Sequence, residues 1–204
     1  MARPVSLVVP VRGGGRGKSR LAVDADRRAR LADAIALDTL ASARACRAVG
    51  ELVVVGALPE PVEGVRVVPD PGFGLIVAIG AGLAICDEDA PTAVLLGDLP
   101  ALHPADLESA LLAASEHSWA FVPDAGGSGT ALVVAAAGLP HALRFGPGSA
   151  EAHADAGYVD LTAGLAGPPL ALATLQRDVD TLDDLEAARA LGLGARTSAV
   201  LAGP

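Results

Sequence analysis

The chain has 204 residues, of which 51% are hydrophobic and only 2% aromatic, and its formal net charge at pH 7 is -9. This length suits one domain with a substantial core, and small apolar side chains favour closely packed layers of sheet and helix. The acidic balance argues against nucleic acid or an anionic membrane as a partner. Because no basic segment precedes a long apolar run, we expect neither a signal peptide nor a membrane span.

The cysteines and the basic residues bear on the cellular compartment and on the ligand. Cys46 and Cys86 fall in predicted helices and match no metal or redox spacing, so we expect buried, reduced thiols and a cytoplasmic protein. Eight of the fifteen lysines and arginines lie within the first thirty residues. An acidic protein with one basic, glycine-rich end is suited to binding a small polyanion.

A glycine-rich loop follows the first predicted strand, which covers residues 5–9. Its glycines let the backbone approach a phosphate closely, and its lysine, Lys18, is the only one in the chain. The spacing is not that of a P-loop, since Arg12 stands where the first glycine belongs, nor that of GxGxxG, since Lys18 replaces the third glycine. Lys18 is therefore predicted to be a compact phosphate-binding charge, the alternative being a solvated surface lysine.

The next segments predict a parallel sheet. Helical periodicity covers residues 27–49, with Gly50 ending the helix, and apolar strands follow at 51–55 and 65–68. A strand, long helix and strand in succession imply parallel pairing with a right-handed crossover. A second glycine loop, at 70–74, leads into a helix from residue 75 to about residue 86, and alone it is typical of an ordinary strand-to-helix turn.

A single carboxylate follows a buried strand in the middle of the chain. The apolar run at 92–96 ends in Gly97 and Asp98, and Pro100 prevents the strand from continuing. Open α/β sheets bind ligands at the carboxyl ends of their strands, so Asp98 is a candidate functional residue. The alternative is that Asp98 only opens a turn or caps a helix. Pro104 then marks the start of a helix.

The second half of the chain has two hydroxyl-bearing loops. Strands at 120–122 and 132–135 flank a loop with the hydroxyls of Ser128 and Thr130. Ser149 begins a short helix after a glycine, which suits either an anion site or a plain N-cap. His153 either supports the residues that contact a ligand or is a satisfied surface histidine, and the sequence favours the surface position.

The last part of the chain contains two further acids. A strand is predicted at 170–175, followed by Asp178 and Asp180, which we expect to point to opposite sides. One of them is expected to cap the final helix, at 182–191, while the other faces the site. The tail after Gly194 is expected to be poorly ordered.

Seven short apolar strands separated by helices predict an α/β protein, a three-layer α/β/α sandwich with a mainly parallel mixed sheet. We expect one domain over residues 1–204. Acids at strand ends suit a hard cation with oxygen ligands, here Asp98 with Asp178 or Asp180. A metal between carboxylates, facing anion-binding loops, is typical of phosphoryl or nucleotidyl transfer.

An ordered set of short motifs spans nearly the whole chain, and although each motif is weak alone, the ordered set is specific. The set consists of Val9-Pro10-Val11, Lys18-Ser19-Arg20-Leu21, Gly97-Asp98-Leu99-Pro100, Asp124 with Gly129-Thr130, Phe145-Gly146 with Gly148-Ser149 and His153, and Asp178-Val179-Asp180-Thr181 with Asp184-Leu185. Together these motifs resemble a known family, the 2-phospho-L-lactate / phosphoenolpyruvate guanylyltransferases of coenzyme F420 biosynthesis. The resemblance implies a Rossmann-like nucleotidyltransferase fold.

The resemblance implies that an acceptor phosphate, of phosphoenolpyruvate or 2-phospho-L-lactate, attacks the α-phosphorus of GTP and releases pyrophosphate. It implies Mg2+ on Asp98 and Asp180, with Asp178 as an alternative or additional ligand, and no nucleic acid or membrane partner. The next enzyme of the pathway is a candidate partner. The remaining implied roles are catalysis by Lys18, Arg20 and Asp98, nucleotide binding by Arg12, Gly13, Lys18, Gly72 and Gly74, and acceptor binding by Thr130, Gly146 and Ser149.

One position departs from the family pattern, and two other functions remain alternatives. The family commonly carries an asparagine where this chain has Ile76, which leaves guanine to be read by the backbone of residues 72–74. A high-GC bacterial composition favours phosphoenolpyruvate over 2-phospho-L-lactate. The alternatives are a nucleotidyltransferase of the same fold acting on a sugar phosphate or the molybdenum cofactor, and a nucleotide-binding module without catalysis.

Overall fold

The computed structural model describes residues 3–12, 21, 23–164 and 170–203. Within these ranges, strands and helices alternate along most of the chain. The strands are β1 (Val5–Val11), β2 (Val49–Gly56), β3 (Val65–Val68), β4 (Thr92–Leu95), β5 (Trp119–Pro123), β6 (Thr130–Ala135) and β7 (Val159–Asp160). The helices are α1 (Ala25–Ala45), α2 (Leu75–Leu83), α3 (Pro104–Ala114), α4 (Ser149–Asp155), α5 (Ala173–Gln176), α6 (Leu182–Leu191) and α7 (Ala195–Ala202).

The strands form one mixed sheet in the order β3-β2-β1-β4-β6-β5-β7. The pairs β1–β2, β1–β4, β2–β3 and β5–β7 are parallel, whereas β6 runs antiparallel to both β4 and β5. Because only β6 is reversed, its first residue lies at the edge where β1, β4 and β5 end. The mainly parallel mixed sheet predicted from the sequence is confirmed.

Helices cover both faces of the sheet and make the expected three layers. Along β1, Leu7 and Val9 pack in one apolar cluster with α1 and α3, while Val8 packs in another with α2 and α4. This alternation is what a strand buried on both faces requires. A third cluster, which includes Leu31 and Leu185, joins α1 to α6 at the side of the sheet.

The prediction of a strand at 170–175 was wrong. This segment contains the short helix α5, and β7 takes the seventh place in the sheet. A run that is apolar except for Thr174 carries no alternation that separates a strand from a helix, and here Leu172 and Leu175, three residues apart, are both buried. The contact that favours the helix comes from outside the segment, because the N–H and the hydroxyl of Thr174 both donate to Asp106 of α3.

The expectation of a poorly ordered tail was also wrong. Residues after Gly194 form α7, which packs on α1. Asp38 of α1 is 6% exposed, and its carboxylate accepts the N–H groups of Arg196 and Thr197 at 3.1 and 2.7 Å. These are otherwise unsatisfied donors in the first turn of α7, so Asp38 acts as a remote N-terminal cap.

Smaller differences concern element ends and the thiols. Helix α1 begins and ends earlier than predicted, with Cys46 as its C-cap, and Gly50 lies inside β2 rather than ending the helix. Cys46 is buried, Cys86 is only partly buried, and both are free thiols. Among the described residues, none of the helices is long and apolar enough to cross a membrane.

Candidate active site

The carboxyl-end edge of the sheet brings together the residues that the sequence singled out. Asp98 follows β4, Asp124 follows β5, and Thr130 begins the reversed strand β6. Arg12 follows β1 at the same edge and is exposed. Because β1, β4 and β5 all end here, their connecting loops share one rim, which is where open α/β sheets bind ligands.

Close contact between β1 and the segment after β4 explains the glycine before Asp98. A Cβ atom on Gly97 would lie 3.0 Å from the Pro10 carbonyl oxygen, tighter than most such contacts. Leu96 continues the sheet by donating its N–H to Ala131 of β6 at 3.0 Å. The Leu99 N–H then donates to the Thr39 hydroxyl of α1, also at 3.0 Å. Asp98 is therefore fixed between two anchored neighbours.

Asp178 and Asp180 both belong to this site, and neither caps the following helix. The Val179 N–H between them donates to the Asp98 main-chain oxygen at 3.1 Å. Helix α6 is capped by Thr181, whose hydroxyl accepts the Asp184 N–H in a capping box. The prediction that one of the two acids caps the final helix was therefore wrong, because the capping box supplies that function.

The acids influence each other through charge. Burial raises the pKa of Asp178 to about 6, with further contributions from the negative charges of Asp98, Asp124 and Asp180. The sequence had indicated no charge role for Asp124, although a lone acid in the glycine-rich turn between two strands was a signal for one. Asp124 accepts the Ser128 N–H at 3.0 Å, and a Cβ atom on Gly129 would overlap its carboxylate.

This set of oxygen donors fits a hard divalent cation. Repulsion among the carboxylates costs free energy in the protein alone, and a bound cation would remove that cost. Within the described ranges, no three His, Cys, Asp or Glu side chains are already grouped so as to hold a metal. Mg2+ commonly binds through one or two carboxylates and completes its shell with water and substrate phosphates, so the arrangement remains compatible with it.

Two adjoining cavities lie beside the acids. The larger, of about 920 Å3, lies over the ends of β1, β2 and β3 and is lined by Arg12, Gly72 and Gly74, among others. The smaller, of about 220 Å3, is lined by Arg12, Asp98 and Asp180. Arg12 lines both, so an elongated ligand could lie with one end in the larger cavity and its other end at the acids.

The loop at 72–74 owes its shape to its two glycines. Gly72 and Gly74 have φ angles of 84° and 94°, a region that side-chain-bearing residues rarely adopt. Gly74 is also the N-cap residue of α2. Asp70 fixes the start of the loop by accepting the Gly72 N–H at 2.9 Å. Asp70 and Asp33 also line the larger cavity, and no motif in the sequence singles them out.

The predicted acceptor residues come together on the other side of the acids. Thr130 and Ser149 are buried, and the Ser149 N–H donates to the Gly146 carbonyl at 3.1 Å. The Ala150 N–H donates to the Ser128 carbonyl, also at 3.1 Å, and so ties α4 to the loop that carries Asp124. Gly148, in the left-handed region, is the N-cap of α4, so Ser149 is not the N-cap but the first helical residue.

His153 is fully buried, which contradicts the expectation of a surface histidine. Its Nδ1 lies 3.0 Å from the Thr130 hydroxyl oxygen, and its Nε2 accepts the Arg144 N–H at 3.0 Å. The sequence could not reveal this position, because the ring is enclosed by residues from three separate segments.

Three of the predicted site residues lie outside the described residues, so their roles stay predictions: Gly13, Lys18 and Arg20. Arg12, Gly72 and Gly74 line the larger cavity, and Asp98 and Asp180 line the smaller one. Their roles as ligands of a nucleotide or a metal, like the acceptor-binding roles, also stay predictions.

Residues 14–161 match the MobA-like NTP transferase domain, so the fold is that of the nucleotidyltransferases. A chain from Desulfovibrio desulfuricans G20 assigned to the nucleotide-diphospho-sugar transferases has the same fold, with a TM-score of 0.68, 18% identity and coverage of 98% of this chain and 94% of its own. A nucleotidyl transferase from Methanothermobacter gives 0.59 at 19% identity, covering 92% and 97%.

Similarity over nearly the full length narrows the class. The phosphoenolpyruvate guanylyltransferase of Thermomonospora curvata is 44% identical over 207 residues, which cover 97% of this chain and 88% of that protein. The enzyme of the same name from Streptomyces coelicolor is 42% identical over 208 residues, covering 97% and 95%. The chain belongs to the phosphoenolpyruvate guanylyltransferase family, and the resemblance noted from its motifs is confirmed.

Proposed function

We propose that this protein transfers GMP from GTP to the phosphate of phosphoenolpyruvate and releases pyrophosphate. The observation that carries the proposal is the position of the carboxylates Asp98, Asp178 and Asp180. They lie between a cavity large enough for a nucleotide and a buried group of hydroxyl-bearing residues. Family membership supplies the nucleotide and the acceptor by analogy with relatives named for this reaction.

The reaction needs positioning and charge neutralisation more than proton transfer. A phosphate oxygen of the acceptor forms a bond to the α-phosphorus of GTP while the bond from that phosphorus to the bridging oxygen breaks, and pyrophosphate leaves with its electron pair. A phosphate monoester is already largely ionised near neutral pH, so no general base is required. In-line alignment and neutralisation of charge are the main tasks of the protein.

Asp98 and Asp180 would hold Mg2+, with Asp178 as an alternative or additional ligand. When bound, the ion would offset the negative charge of the phosphates. The positive charge of the ion would also offset the burial and the neighbouring negative charges that raise the pKa of Asp178 to about 6. Arg12, at the junction of the two cavities, is suited to neutralise GTP phosphates. Gly13, Lys18 and Arg20 are assigned the same task by the family pattern alone.

The base of GTP would occupy the larger cavity, beside the glycine loop. Gly72 and Gly74 line it with main-chain atoms, which can hydrogen-bond a purine without side chains. Ile76 has no side-chain amide with which to bind a base, and the residue is 42% exposed. Backbone recognition of guanine is therefore the proposal that fits these residues.

The acceptor would bind at Thr130, Gly146 and Ser149, on the far side of the acids from the nucleotide. Phosphoenolpyruvate is favoured over 2-phospho-L-lactate because the similar curated proteins carry that substrate in their names. We place the reaction in the cytoplasm, in coenzyme F420 biosynthesis, with the next enzyme of that pathway as a candidate partner for the product.

Pyrophosphate release tests the proposal directly. The protein would be incubated with Mg2+, each of the four nucleoside triphosphates, and either phosphoenolpyruvate or 2-phospho-L-lactate, with the next pathway enzyme present to consume product. Release with GTP and phosphoenolpyruvate, and little with ATP, is the expected result. Release only with a sugar phosphate or a molybdenum cofactor precursor would replace the acceptor, and no release with any pair would refute the transferase function.

A further inference from the structure

His153 contacts both parts of the proposed acceptor site, Thr130 on one side and the segment before Gly146 on the other. Its ring is fully buried and enclosed by aromatic side chains, with ring centroids 5.3 Å from Phe145 and 5.2 Å from Tyr158, both edge-on. A third ring, Phe121, lies 6.1 Å away. The imidazole therefore has little room to rotate or tilt.

The hydrogen bonds of this ring define where its proton lies. Nε2 is 3.0 Å from the Arg144 main-chain nitrogen, which can only donate, so Nε2 must be the unprotonated acceptor. Nδ1, the other ring nitrogen, lies 3.0 Å from the Thr130 hydroxyl oxygen. Burial lowers the pKa of His153, which favours the neutral ring. We assign its single proton to Nδ1.

This assignment determines the direction of the Thr130 hydroxyl. The Thr130 oxygen lies 3.0 Å from Nδ1 and accepts its proton, so the hydroxyl hydrogen of Thr130 must point away from the ring. Thr130 stands at the sheet edge, where β6 begins beside the loop that carries Asp124. Its hydrogen is then available to an anionic group of a ligand at that edge.

The other nitrogen of the ring fixes the second half of the site. By accepting the Arg144 N–H, Nε2 holds the chain two residues before Gly146. His153 itself lies one turn after Ser149 in α4. One buried side chain thus joins β6, the segment before α4, and α4.

We infer that His153 is a positioning residue for the acceptor: it turns the Thr130 hydroxyl into a hydrogen-bond donor toward the acceptor anion and fixes the segment leading to Gly146 and Ser149. This inference rests on the proposed function. His153 is not among the described residues that line the larger cavity, where the nucleotide is proposed to bind. Its role therefore concerns the acceptor and not GTP.

A double-mutant cycle separates this role from a general effect on the fold. His153→Gln places an amide near the Nε2 position, which preserves the bond to Arg144 but leaves Thr130 without its donor. We expect the KM for phosphoenolpyruvate to rise about tenfold, the effect of one buried hydrogen bond, with the KM for GTP changed less than about twofold. Thr130→Val should give a similar rise, and the double variant should add less than about twofold to it.

Two further variants complete the design. His153→Asn places an amide near the Nδ1 position and can still donate to Thr130. The KM for phosphoenolpyruvate should therefore rise less in His153→Asn than in His153→Gln. His141→Gln is the matched control, since the His141 ring also packs against Tyr158 but hydrogen-bonds Thr92 and Tyr158. It should leave the KM for phosphoenolpyruvate unchanged.

A spectroscopic measurement tests the ring without any turnover. In 15N-resolved NMR spectra, His153 should show a protonated Nδ1 and an unprotonated Nε2, and Thr130→Val should shift the Nδ1 signal. A protonated Nε2 would overturn the inference. So would additive effects in the cycle, or turnover with an unchanged acceptor KM in His153→Gln. Absence of turnover by the unaltered protein with every acceptor would instead refute the proposed function, and the acceptor role of His153 with it.

Discussion

The main-chain N–H of Val179 donates to the main-chain oxygen of Asp98 at 3.1 Å. This bond joins the segment after β4 to the segment before α6 and brings their acids to one place. The expectation that Asp178 and Asp180 point to opposite sides was wrong, because side chains two residues apart in an extended segment lie on the same face, and both acids contribute to the same charged site.

Asp98→Asn should reduce pyrophosphate release with GTP and phosphoenolpyruvate by at least about 100-fold, because it removes a charge proposed to hold the metal while keeping the shape. Thermal melting and circular dichroism should stay close to those of the unaltered protein. Asp155→Asn, which removes an exposed carboxylate at the end of α4, is the matched control and should retain activity. Near-normal turnover in Asp98→Asn would contradict the metal assignment.

Asp178→Asn should stabilise the protein in the absence of divalent cations while lowering activity. Burial and neighbouring charges raise the pKa of Asp178 to about 6 from 3.8. The folded state then binds more protons than the unfolded state between those values, so stability falls as pH rises from about 4 to 6 and stays lower above it. At pH 7.5 the charged form costs about 1–2 kcal/mol after allowance for partial solvent screening.

The measurement is thermal unfolding of both proteins in chelator, from pH 4 to 8. Asp178→Asn should melt about 3–6 °C higher than the unaltered protein at pH 7.5, with the difference shrinking toward pH 4. Addition of Mg2+ should raise the melting temperature of the unaltered protein more than that of the variant. A difference independent of pH would show that repulsion among the acids is not its cause.

Ser149→Ala should weaken acceptor binding more than GTP binding. Ser149 is buried beside Gly146 and lies away from the residues that line the nucleotide cavity. We expect the KM for phosphoenolpyruvate to rise about tenfold, the loss of one hydrogen bond to a charged group, and the KM for GTP to change little. Steady-state kinetics with each substrate varied in turn measures both. Equal effects on the two values would place Ser149 outside the acceptor site.

Asp38→Ala should destabilise the protein by about 2 kcal/mol, because it removes the cap of α7 and leaves two N–H donors without partners. Asp38→Asn keeps one acceptor oxygen and should cost roughly half as much. Denaturant unfolding of both variants measures the difference. If both melt like the unaltered protein, the contact between Asp38 and α7 contributes nothing to stability, and the tail would behave as the sequence alone suggested.

Local sequence patterns were sufficient for the features that depend on neighbouring residues. An apolar run ended by glycine, aspartate and proline predicts a carboxylate at a strand end, and Asp98 lies there. The alternation of helical and strand periodicities predicts the layered α/β fold, since each period fixes which face of an element is apolar. The loop at 70–74 is by itself typical of an ordinary strand-to-helix turn, and only the family resemblance indicated Gly72 and Gly74, which line the larger cavity.

Only the tertiary structure decided the features that depend on distant residues. The apolar run at 170–175 suits a strand or a helix equally, and Asp106 of α3 selects the helix through Thr174. The tail becomes helical because Asp38, far away in the sequence, caps it. His153 is buried because β6 and the segment at Arg144 close around it. Hydrogen bonds and burial between distant segments leave no local pattern, and for that reason the sequence by itself determined the sheet and its acids but not these contacts.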